Sequence, residues 1–300
     1  MSLSVGYLGF GEIGFAMARG MQAAGASPLV AFDKQAKEGP LADVLKGRAQ
    51  KLGIALTDDA AALADKDVVL SAVTPMAAVA AAKAFAPHAR AGQFYLDVNS
   101  SAPSMKQEID ALLRPKGVRV VDASMSGTGV HLRGHKGLYI YMSGPDSQAL
   151  YDKLSPYDLE MKVLGGEIGA ASAIKMVRGV VMKGVEGLLV EMLLTAERFG
   201  VGAEVLASVV QAMDDESFGK FGAFLVQSHM IHSGRRGDEL SLIRDTVAAA
   251  GIEPVMTDAA LKLYRQHTAS GVAEHFHGEM PKTWQEGIAE LSRRLPQKKD

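Results

Sequence analysis

Three glycines near the start of the chain have the spacing best suited to chemistry. Gly9, Gly11 and Gly14 form the pattern Gly-x-Gly-x-x-Gly, directly after the apolar run Ser4–Leu8 and before helix-forming residues. A strand that turns through such glycines into a helix brings backbone N–H groups and the positive helix end towards a pyrophosphate. We expect a dinucleotide to bind here, although a glycine-rich turn without a ligand is the alternative. The residues predicted to contact it are Gly9, Phe10, Gly11, Glu12, Ile13 and Gly14.

An acidic residue lies at the position where it could contact the ribose of a dinucleotide. The second apolar run, Pro28–Phe32, ends in Asp33, about 20 residues beyond the glycines. Its carboxylate could accept hydrogen bonds from ribose hydroxyls and would repel a 2′-phosphate, which favours NAD over NADP. Lys34 and Lys37 follow in the same segment and could offset that repulsion. The sequence predicts a nicotinamide dinucleotide, with NAD slightly favoured and NADP left open.

Lys175 is the leading candidate for acid–base chemistry. It follows Gly165 by ten residues, in a stretch with helical periodicity, and Arg178 lies one turn further on. A lysine can exchange a proton with a substrate hydroxyl if burial and a neighbouring cation lower its pKa towards neutrality. The alternative is a solvated helix face with surface ion pairs, which is the commoner role of helical lysines.

Small polar residues form a second candidate cluster. Ser126 and Gly127 follow the apolar run that ends in Asp122, and N–H groups and hydroxyls at a strand end can hold a carboxylate. An ordinary turn explains the same pattern equally well. Ser101 could likewise contact substrate, or it could cap a helix that begins near Pro103.

A third cluster lies in the C-terminal half and contains His229, His232, Arg235, Arg236 and Glu239. The spacing is not that of a metal-binding His-Glu-x-x-His motif, and adjacent arginines would repel a cation. We therefore expect no metal site. The two arginines could form charge-assisted hydrogen bonds to a carboxylate or phosphate, or they could be surface residues at a helix end.

The elements that must position these residues alternate along the first half of the chain. Runs typical of strands are separated by alanine-rich helical stretches such as 58–64 and 76–85. Such alternation predicts an α/β fold with a doubly wound parallel sheet, in which ligands bind at the carboxyl ends of the strands. We therefore add Lys34, Val73, Thr74 and Asn99 to the cofactor site. The predicted strands are 4–8, 28–32, 67–73, 93–98, 119–123 and 137–142.

The second half is predicted to be entirely helical. The stretch 167–199 would form a helix of about 45–50 Å, too long for one small domain, so it should join domains or subunits. We place a Rossmann-type dinucleotide-binding domain at 1–165 and a helical domain for substrate binding and dimerisation at 166–300. The other predicted helices are 203–213, 218–232, 238–250, 256–265 and 284–295.

Composition narrows the class of protein further. The chain has 300 residues, of which 48% are hydrophobic and 22% are charged, with a formal net charge of −2. Neither nucleic acid nor an anionic membrane is expected as a partner, because there is no basic surplus. The absence of cysteine excludes disulfides and thiolate nucleophiles and fits a reducing compartment. Without a recognisable signal peptide or membrane span, we expect a cytoplasmic protein.

Three segments together resemble the β-hydroxyacid dehydrogenases, which include 3-hydroxyisobutyrate, tartronate semialdehyde and 6-phosphogluconate dehydrogenases. Residues 8–14 resemble the glycine fingerprint of that family, and 122–127 resemble its Asp-Ala-Pro-Val-Ser-Gly substrate motif. Residues 166–175 resemble the Gly-x-x-Gly-x-Gly-x-x-x-Lys segment that carries the catalytic lysine. The resemblance covers nearly the whole chain. It implies that Lys175 is the acid/base and that Ser126 and Gly127 help to hold the substrate.

The chain also departs from the family pattern. Gly179 stands where the family usually has asparagine, Ala171 replaces the third glycine of the lysine motif, and Thr128 replaces a glycine of the substrate motif. A Lys-Asp-Leu segment is absent, and 232–240 carries the histidine and arginines instead. The pattern resembles a divergent, phosphogluconate-dehydrogenase-like branch and leaves the substrate open.

The resemblance implies hydride transfer between nicotinamide and a small anionic hydroxy acid, oxo-acid or semialdehyde. It also suggests a homodimer, as does the length of the predicted helix. Two alternatives remain: an imine reductase of the same superfamily, which the lysine disfavours, and a non-enzymatic dinucleotide-binding protein. The residues expected to contact substrate are Ser101, Ser126, Gly127, Arg178, His232, Arg235 and Arg236.

Overall fold

Eight strands form one sheet in the computed structural model, which describes residues 2–127 and 137–296. Every strand is short and most are buried, as expected for a sheet covered on both faces. The strands are β1 Val5–Leu8, β2 Leu29–Phe32, β3 Ala55–Thr57, β4 Val68–Ser71, β5 Phe94–Asp97, β6 Arg119–Ser126, β7 Tyr139–Ser143 and β8 Glu160–Gly165.

The strand order is β3-β2-β1-β4-β5-β6-β7-β8, which confirms the doubly wound fold. All neighbouring pairs are parallel except β6 and β7, which are antiparallel. The predicted parallel sheet differs from the structure at this pair, because hydrophobic periodicity carries no information on strand direction. The prediction also missed β3 and β8, since β3 has three residues and β8 is partly exposed at the sheet edge.

Eleven α-helices lie in the described residues. They are α1 Glu12–Ala23, α2 Ala42–Leu52, α3 Ala78–Phe85, α4 Pro103–Leu113, α5 Ser147–Leu154, α6 Ala170–Phe199, α7 Gly202–Asp214, α8 Phe218–Ala249, α9 Val255–Ala269, α10 Val272–His275 and α11 Trp284–Arg294. The predicted helix at 58–64 is instead a short 3₁₀ turn, Ala60–Leu63.

The separate helices predicted at 218–232 and 238–250 are one continuous helix, α8. Gly234 and Gly237 looked like a break in the sequence, but both are helical. A Cβ atom at Gly237 would lie 3.8 Å from the Cβ of Tyr264, and one at Gly234 would lie 3.5 Å from Thr268. These are ordinary van der Waals distances, so both positions lie on the side of α8 that faces α9 without requiring glycine there.

Two apolar clusters cover the faces of the sheet. One gathers Tyr7, Met17 and Leu96 with their neighbours, and the other gathers Leu8, Phe85 and Tyr95. The rings of Phe85 and Tyr95 stack with centroids 5.8 Å apart. Alternate residues of each buried strand serve the two clusters, so the strand ends are held in place from both sides.

The chain divides into two units, residues 1–180 and 181–300, and the division falls within α6. The first unit contains the whole sheet and the first turns of α6, whereas the second contains helices. The boundary predicted at residue 165 coincides with the end of β8 and stays a prediction. No helix among the described residues is long and apolar enough to cross a membrane.

Candidate active site

The glycine segment forms the turn from β1 into α1. Gly9 has a φ of +96°, and a Cβ there would lie 2.6 Å from the carbonyl oxygen of Ala72. A Cβ at Gly14 would overlap the carbonyl oxygen of Gly9. Nothing lies within 4 Å of a Cβ built at Gly11. Two of the glycines are thus required by the protein itself, while Gly11 leaves open space beside the N-terminus of α1.

Asp33 lies at the end of β2 and contacts the glycine segment directly. Its Oδ2 accepts a hydrogen bond from Phe10 N at 3.0 Å, and its Oδ1 accepts one from Gln35 N at 3.0 Å. Arg48 donates from Nη1 to the carbonyl oxygen of Phe10 at 3.2 Å. The backbone of the turn is therefore fixed on both sides of Phe10, whose ring is buried in the core.

A cavity of about 550 Å³ opens beside this turn. Its size suits a small-molecule site, and its place at the carboxyl ends of β1, β2, β4 and β5 is where doubly wound sheets bind ligands. The cavity also includes Gln35 and the alanine-rich side of α3. Of the predicted cofactor residues, those that line it are Gly9, Gly11, Glu12, Ile13, Asp33, Lys34, Val73, Thr74 and Asn99.

Asn99 and Lys37 make contacts that the sequence did not reveal. The Oδ1 of Asn99 accepts a hydrogen bond from Val73 N at 2.7 Å, and its Nδ2 donates to Ser71 Oγ at 2.9 Å. Asn99 therefore joins the ends of β4 and β5 and fixes the floor of the cavity. Lys37 pairs with Asp58 at 2.7 Å, so Asp58 compensates its charge, while Lys34 lines the cavity.

Lys175 lies in the second turn of α6 and is half-buried. Burial lowers the pKa of its ammonium, and the charges of Arg178 and Lys106 lower it further. This is the direction needed for a lysine that accepts a proton near neutral pH. Arg178 was predicted to act in this way, whereas Lys106 was not recognised from the sequence.

Lys106 is the centre of a buried ionic cluster. Only 1% of it is exposed, and its Nζ lies 2.9 Å from Asp97 Oδ1 and 3.6 Å from Asp122 Oδ1. Asp97 is the last residue of β5, and Asp122 lies within β6. The two residues are direct neighbours across the two strands. Two acids in buried strands could have indicated a buried cation, because unpaired charges are costly inside a protein.

Of the predicted substrate serines, Ser126 is the last residue of β6, and Ser101 lies between β5 and α4. The hydroxyls of Ser101 and Ser124 are buried without a hydrogen-bond partner in the described part of the chain. Ser126 is half-buried, and Gly127 has a φ of +140° with no room for a Cβ beside Gly137. Unpaired buried hydroxyls are uncommon, and no contact in the described part of the chain explains these two. Thr128 lies outside the described residues.

The arginine and histidine cluster lies on α8 in the second unit. Arg235 pairs with Glu239, while Arg236 Nη2 donates to Ser228 Oγ at 2.8 Å and His232 is half-buried. His229 Nε2 lies 2.8 Å from His267 Nδ1. Burial, together with the charges of His267 and Arg236, lowers the pKa of His229 to about 4. This histidine is neutral near pH 7.

Two family models match the chain. Residues 4–157 match the NAD-binding domain of 6-phosphogluconate dehydrogenase, which covers about half of the chain. Residues 196–267 match a domain of unknown function, DUF1932. The first match covers β1 to β7 and the glycine turn, and the second covers α7, α8 and most of α9.

Related proteins match over most of their lengths. The 2-(hydroxymethyl)glutarate dehydrogenase of Eubacterium barkeri is 22% identical, over 95% of this chain and 96% of its own. A conserved protein of unknown function, described as structurally similar to 3-hydroxyacid dehydrogenases, is 31% identical with a TM-score of 0.59, over 89% of this chain and 97% of its own. A variant of the Myxococcus stipitatus imine reductase in complex with NAD+ shares the fold, with a TM-score of 0.74 at 17% identity, over 99% of this chain and 100% of its own.

Proposed function

Because the chain belongs to the β-hydroxyacid dehydrogenase family and is an NAD(P)-dependent oxidoreductase of that type, we propose that it acts on small anionic hydroxy acids, oxo-acids or semialdehydes. The observation that carries this proposal is Lys175, half-buried and with a lowered pKa at the start of α6. A neutral amine at this place suits proton exchange with a hydroxyl at a carbon that gains or loses a hydride.

The open space at Gly11 fits the pyrophosphate of a nicotinamide dinucleotide. The turn presents backbone N–H groups at the N-terminus of α1, and a side chain at this position would occupy the path of the phosphates. We propose Asp33 as the residue that accepts hydrogen bonds from the ribose, with NAD favoured. The bound nicotinamide would supply or accept the hydride, and residues of the chain would transfer the proton and hold the substrate.

We propose that Lys175 accepts and donates the proton of the reaction. During oxidation its neutral amine takes the proton from the substrate hydroxyl while the C–H bond breaks, and the carbonyl forms. During reduction its ammonium returns a proton to the carbonyl oxygen. Burial and the charges of Arg178 and Lys106 lower the pKa of this amine, which is the direction that acid–base catalysis requires of a lysine.

The anionic group of the substrate needs separate contacts. We propose Ser101, Ser126 and the backbone of Gly127 as donors at the strand ends, with Arg178 as a nearby cation. The unpaired buried hydroxyl of Ser101 supports this role. We also propose His232, Arg235 and Arg236, on α8 of the second unit, as residues that contact an anionic group.

A turnover screen with a matched pair of lysine variants tests the proposal. NADH and NADPH oxidation is followed with a panel of small oxo-acids and semialdehydes, for the native protein, Lys175→Ala and Lys183→Ala. Lys183 lies on the same helix but is exposed and paired with Glu186 at 2.9 Å. We expect Lys175→Ala to lower kcat by about 10²–10⁴-fold with cofactor affinity unchanged, and Lys183→Ala to behave as native. Near-native turnover by Lys175→Ala would remove this lysine from the mechanism.

Imine reduction is the second candidate function, because the imine reductase neighbour matches the fold over the whole chain. Cyclic imines are therefore included in the same screen. Turnover of imines without turnover of any oxo-acid would favour this alternative. Tight cofactor binding without turnover of either class would favour a non-enzymatic dinucleotide-binding protein.

We also propose that the protein is a cytoplasmic homodimer. In α7 no residue is buried, although Leu206, Val210 and Met213 are apolar and recur at helical spacing. A short helix gains little stability without a packed apolar face. Exposed apolar residues also continue along the end of α6 and the start of α8, at Leu194, Phe218 and Phe224. A second copy of the chain would cover this surface with side chains of the same kind.

A further inference from the structure

We propose that Asp122 is a positioning residue for Lys175: its buried carboxylate fastens the N-terminus of α6, the helix that carries the lysine, to β6. This inference rests on the proposed function, in which Lys175 exchanges the proton. It concerns a residue whose role is not explained by contact with substrate or cofactor, because Asp122 is fully buried.

The contacts of one carboxylate oxygen define the attachment. The Oδ2 of Asp122 accepts hydrogen bonds from Gly169 N and Ser172 N, both at 3.0 Å. It also accepts one from Ser143 Oγ at 3.0 Å, and this serine hydroxyl in turn accepts one from Ala171 N at 3.0 Å. These N–H groups belong to the first turn of α6, where a helix has no internal partners for them. A carboxylate at a helix N-terminus is also favoured by the helix dipole.

The second oxygen faces a buried cation. Lys106 Nζ lies 3.6 Å from Asp122 Oδ1 and 2.9 Å from Asp97 Oδ1, and it donates to the carbonyl oxygen of Asp97 at 2.9 Å. The ammonium thus holds the end of β5 to the middle of β6, next to the first turn of α6. The charged groups around Lys175 are therefore Arg178 on its own helix and Lys106 below it, with Asp97 and Asp122 compensating the charge of Lys106.

The distance along the helix from the attachment to the lysine is short. Lys175 follows Ser172 by three residues, which is a rise of about 4.5 Å at 1.5 Å per residue. A shift of the first turn is therefore transmitted directly to the ammonium. Misplacing a catalytic group by about 1 Å can lower a rate by about 100-fold. The attachment therefore fixes the position of the Lys175 amine as well as the start of α6.

The chain offers a matched control for a purely structural role. Glu191, on the same helix but in the second unit, is also buried and caps a helix. It accepts hydrogen bonds from Met256 N at 2.7 Å, from Thr257 N at 3.0 Å and from Thr257 Oγ1 at 2.6 Å. Asp122→Asn and Glu191→Gln each remove one buried charge from a helix cap. If Asp122 only stabilises the fold, the two variants should behave alike.

The test follows Lys175 itself and does not depend on a known substrate. Lysines are reductively methylated with ¹³C-formaldehyde, the Lys175 signal is assigned by its loss in Lys175→Arg, and its titration is followed by NMR. We expect Asp122→Asn to move this titration to higher pH, because a loosened first turn of α6 would expose the ammonium and burial is the largest cause of its lowered pKa. Lys106→Met should also move it to higher pH, because the charge of Lys106 lowers this pKa in the native protein. Glu191→Gln should leave it unchanged.

Backbone exchange and turnover supply the remaining readouts. Asp122→Asn should speed hydrogen exchange of the Gly169 and Ser172 amides, and should lower kcat about tenfold or more on the substrate found in the screen, with the Kd for NADH unchanged. A native titration and native exchange in Asp122→Asn would overturn the inference. If Asp122→Asn fails to fold, Lys106→Met alone must still move the titration upwards, and no movement would also overturn it. Full activity of Lys175→Ala would instead overturn the proposed function.

Discussion

Substitution of Gly11 by valine should separate cofactor binding from protein stability. Gly11 has a φ of −62°, which any residue adopts, and a Cβ built there meets no atom within 4 Å. The change in the free energy of unfolding should therefore stay within about 0.5 kcal/mol, as for substitutions without new contacts. The valine side chain would instead occupy the space that we assign to the pyrophosphate. We expect the Kd for NADH to rise at least 100-fold, which is about 2.8 kcal/mol.

Gly14→Ala is the matched substitution in the same turn, with the opposite expectation for stability. Its methyl group would overlap the carbonyl oxygen of Gly9, so β1 and α1 must move apart. Forcing a group into a packed site typically costs about 1–3 kcal/mol. Each kcal/mol should lower Tm by about 2–4 °C in a unit of this size.

Calorimetric titration with NADH and thermal unfolding without cofactor measure the two effects. The reasoning predicts that Gly11→Val keeps the native Tm and loses binding, while Gly14→Ala unfolds at a lower temperature. Native affinity for NADH in Gly11→Val would refute the assignment of this turn to the pyrophosphate. A large loss of Tm in Gly11→Val would show that the space beside Gly11 is needed by the protein itself.

The remaining predictions concern cofactor choice, the lysine and the dimer. The native protein should bind NADH at least tenfold more tightly than NADPH, and Asp33→Ser should reduce that ratio in calorimetry; tighter binding of NADPH by the native protein would contradict this role. Arg178→Ala should raise the pKa of Lys175, because a cation that disfavours the ammonium is removed. In the pH profile of kcat for oxidation, the limb that rises with pH should therefore move to higher pH. An unmoved limb would exclude this coupling. Val210→Asp should convert a dimer to a monomer in sedimentation velocity, whereas Gln211→Asp should not; a native protein that already sediments as a monomer would refute the proposed interface.

Much of the fold could be predicted from the sequence because its signals are local. The run Ser4–Leu8 and the three glycines specify a strand, a turn and a helix through backbone preferences within about ten residues. The alternation of apolar runs and helical stretches indicated the doubly wound sheet, and strand ends in such a sheet meet at one edge. For this reason most of the predicted cofactor residues line one cavity, although no two strand ends are close in sequence.

Contacts between segments that are distant in the sequence could be seen only in the tertiary structure. Strand direction at β7 and the pairing of Lys37 with Asp58 both depend on contacts between residues that are distant in the sequence.

The clearest case is the cluster under α6. Asp122 meets Gly169 and Ser172 across about fifty residues of chain, and Lys106 looks like an ordinary exposed lysine in its helical segment. A periodic pattern reports which face of an element is apolar, but it cannot report which charges that face encloses once the elements pack. The sequence therefore determined where a cofactor and a catalytic lysine would be sought, and tertiary packing decided how the lysine is held and how its pKa is lowered.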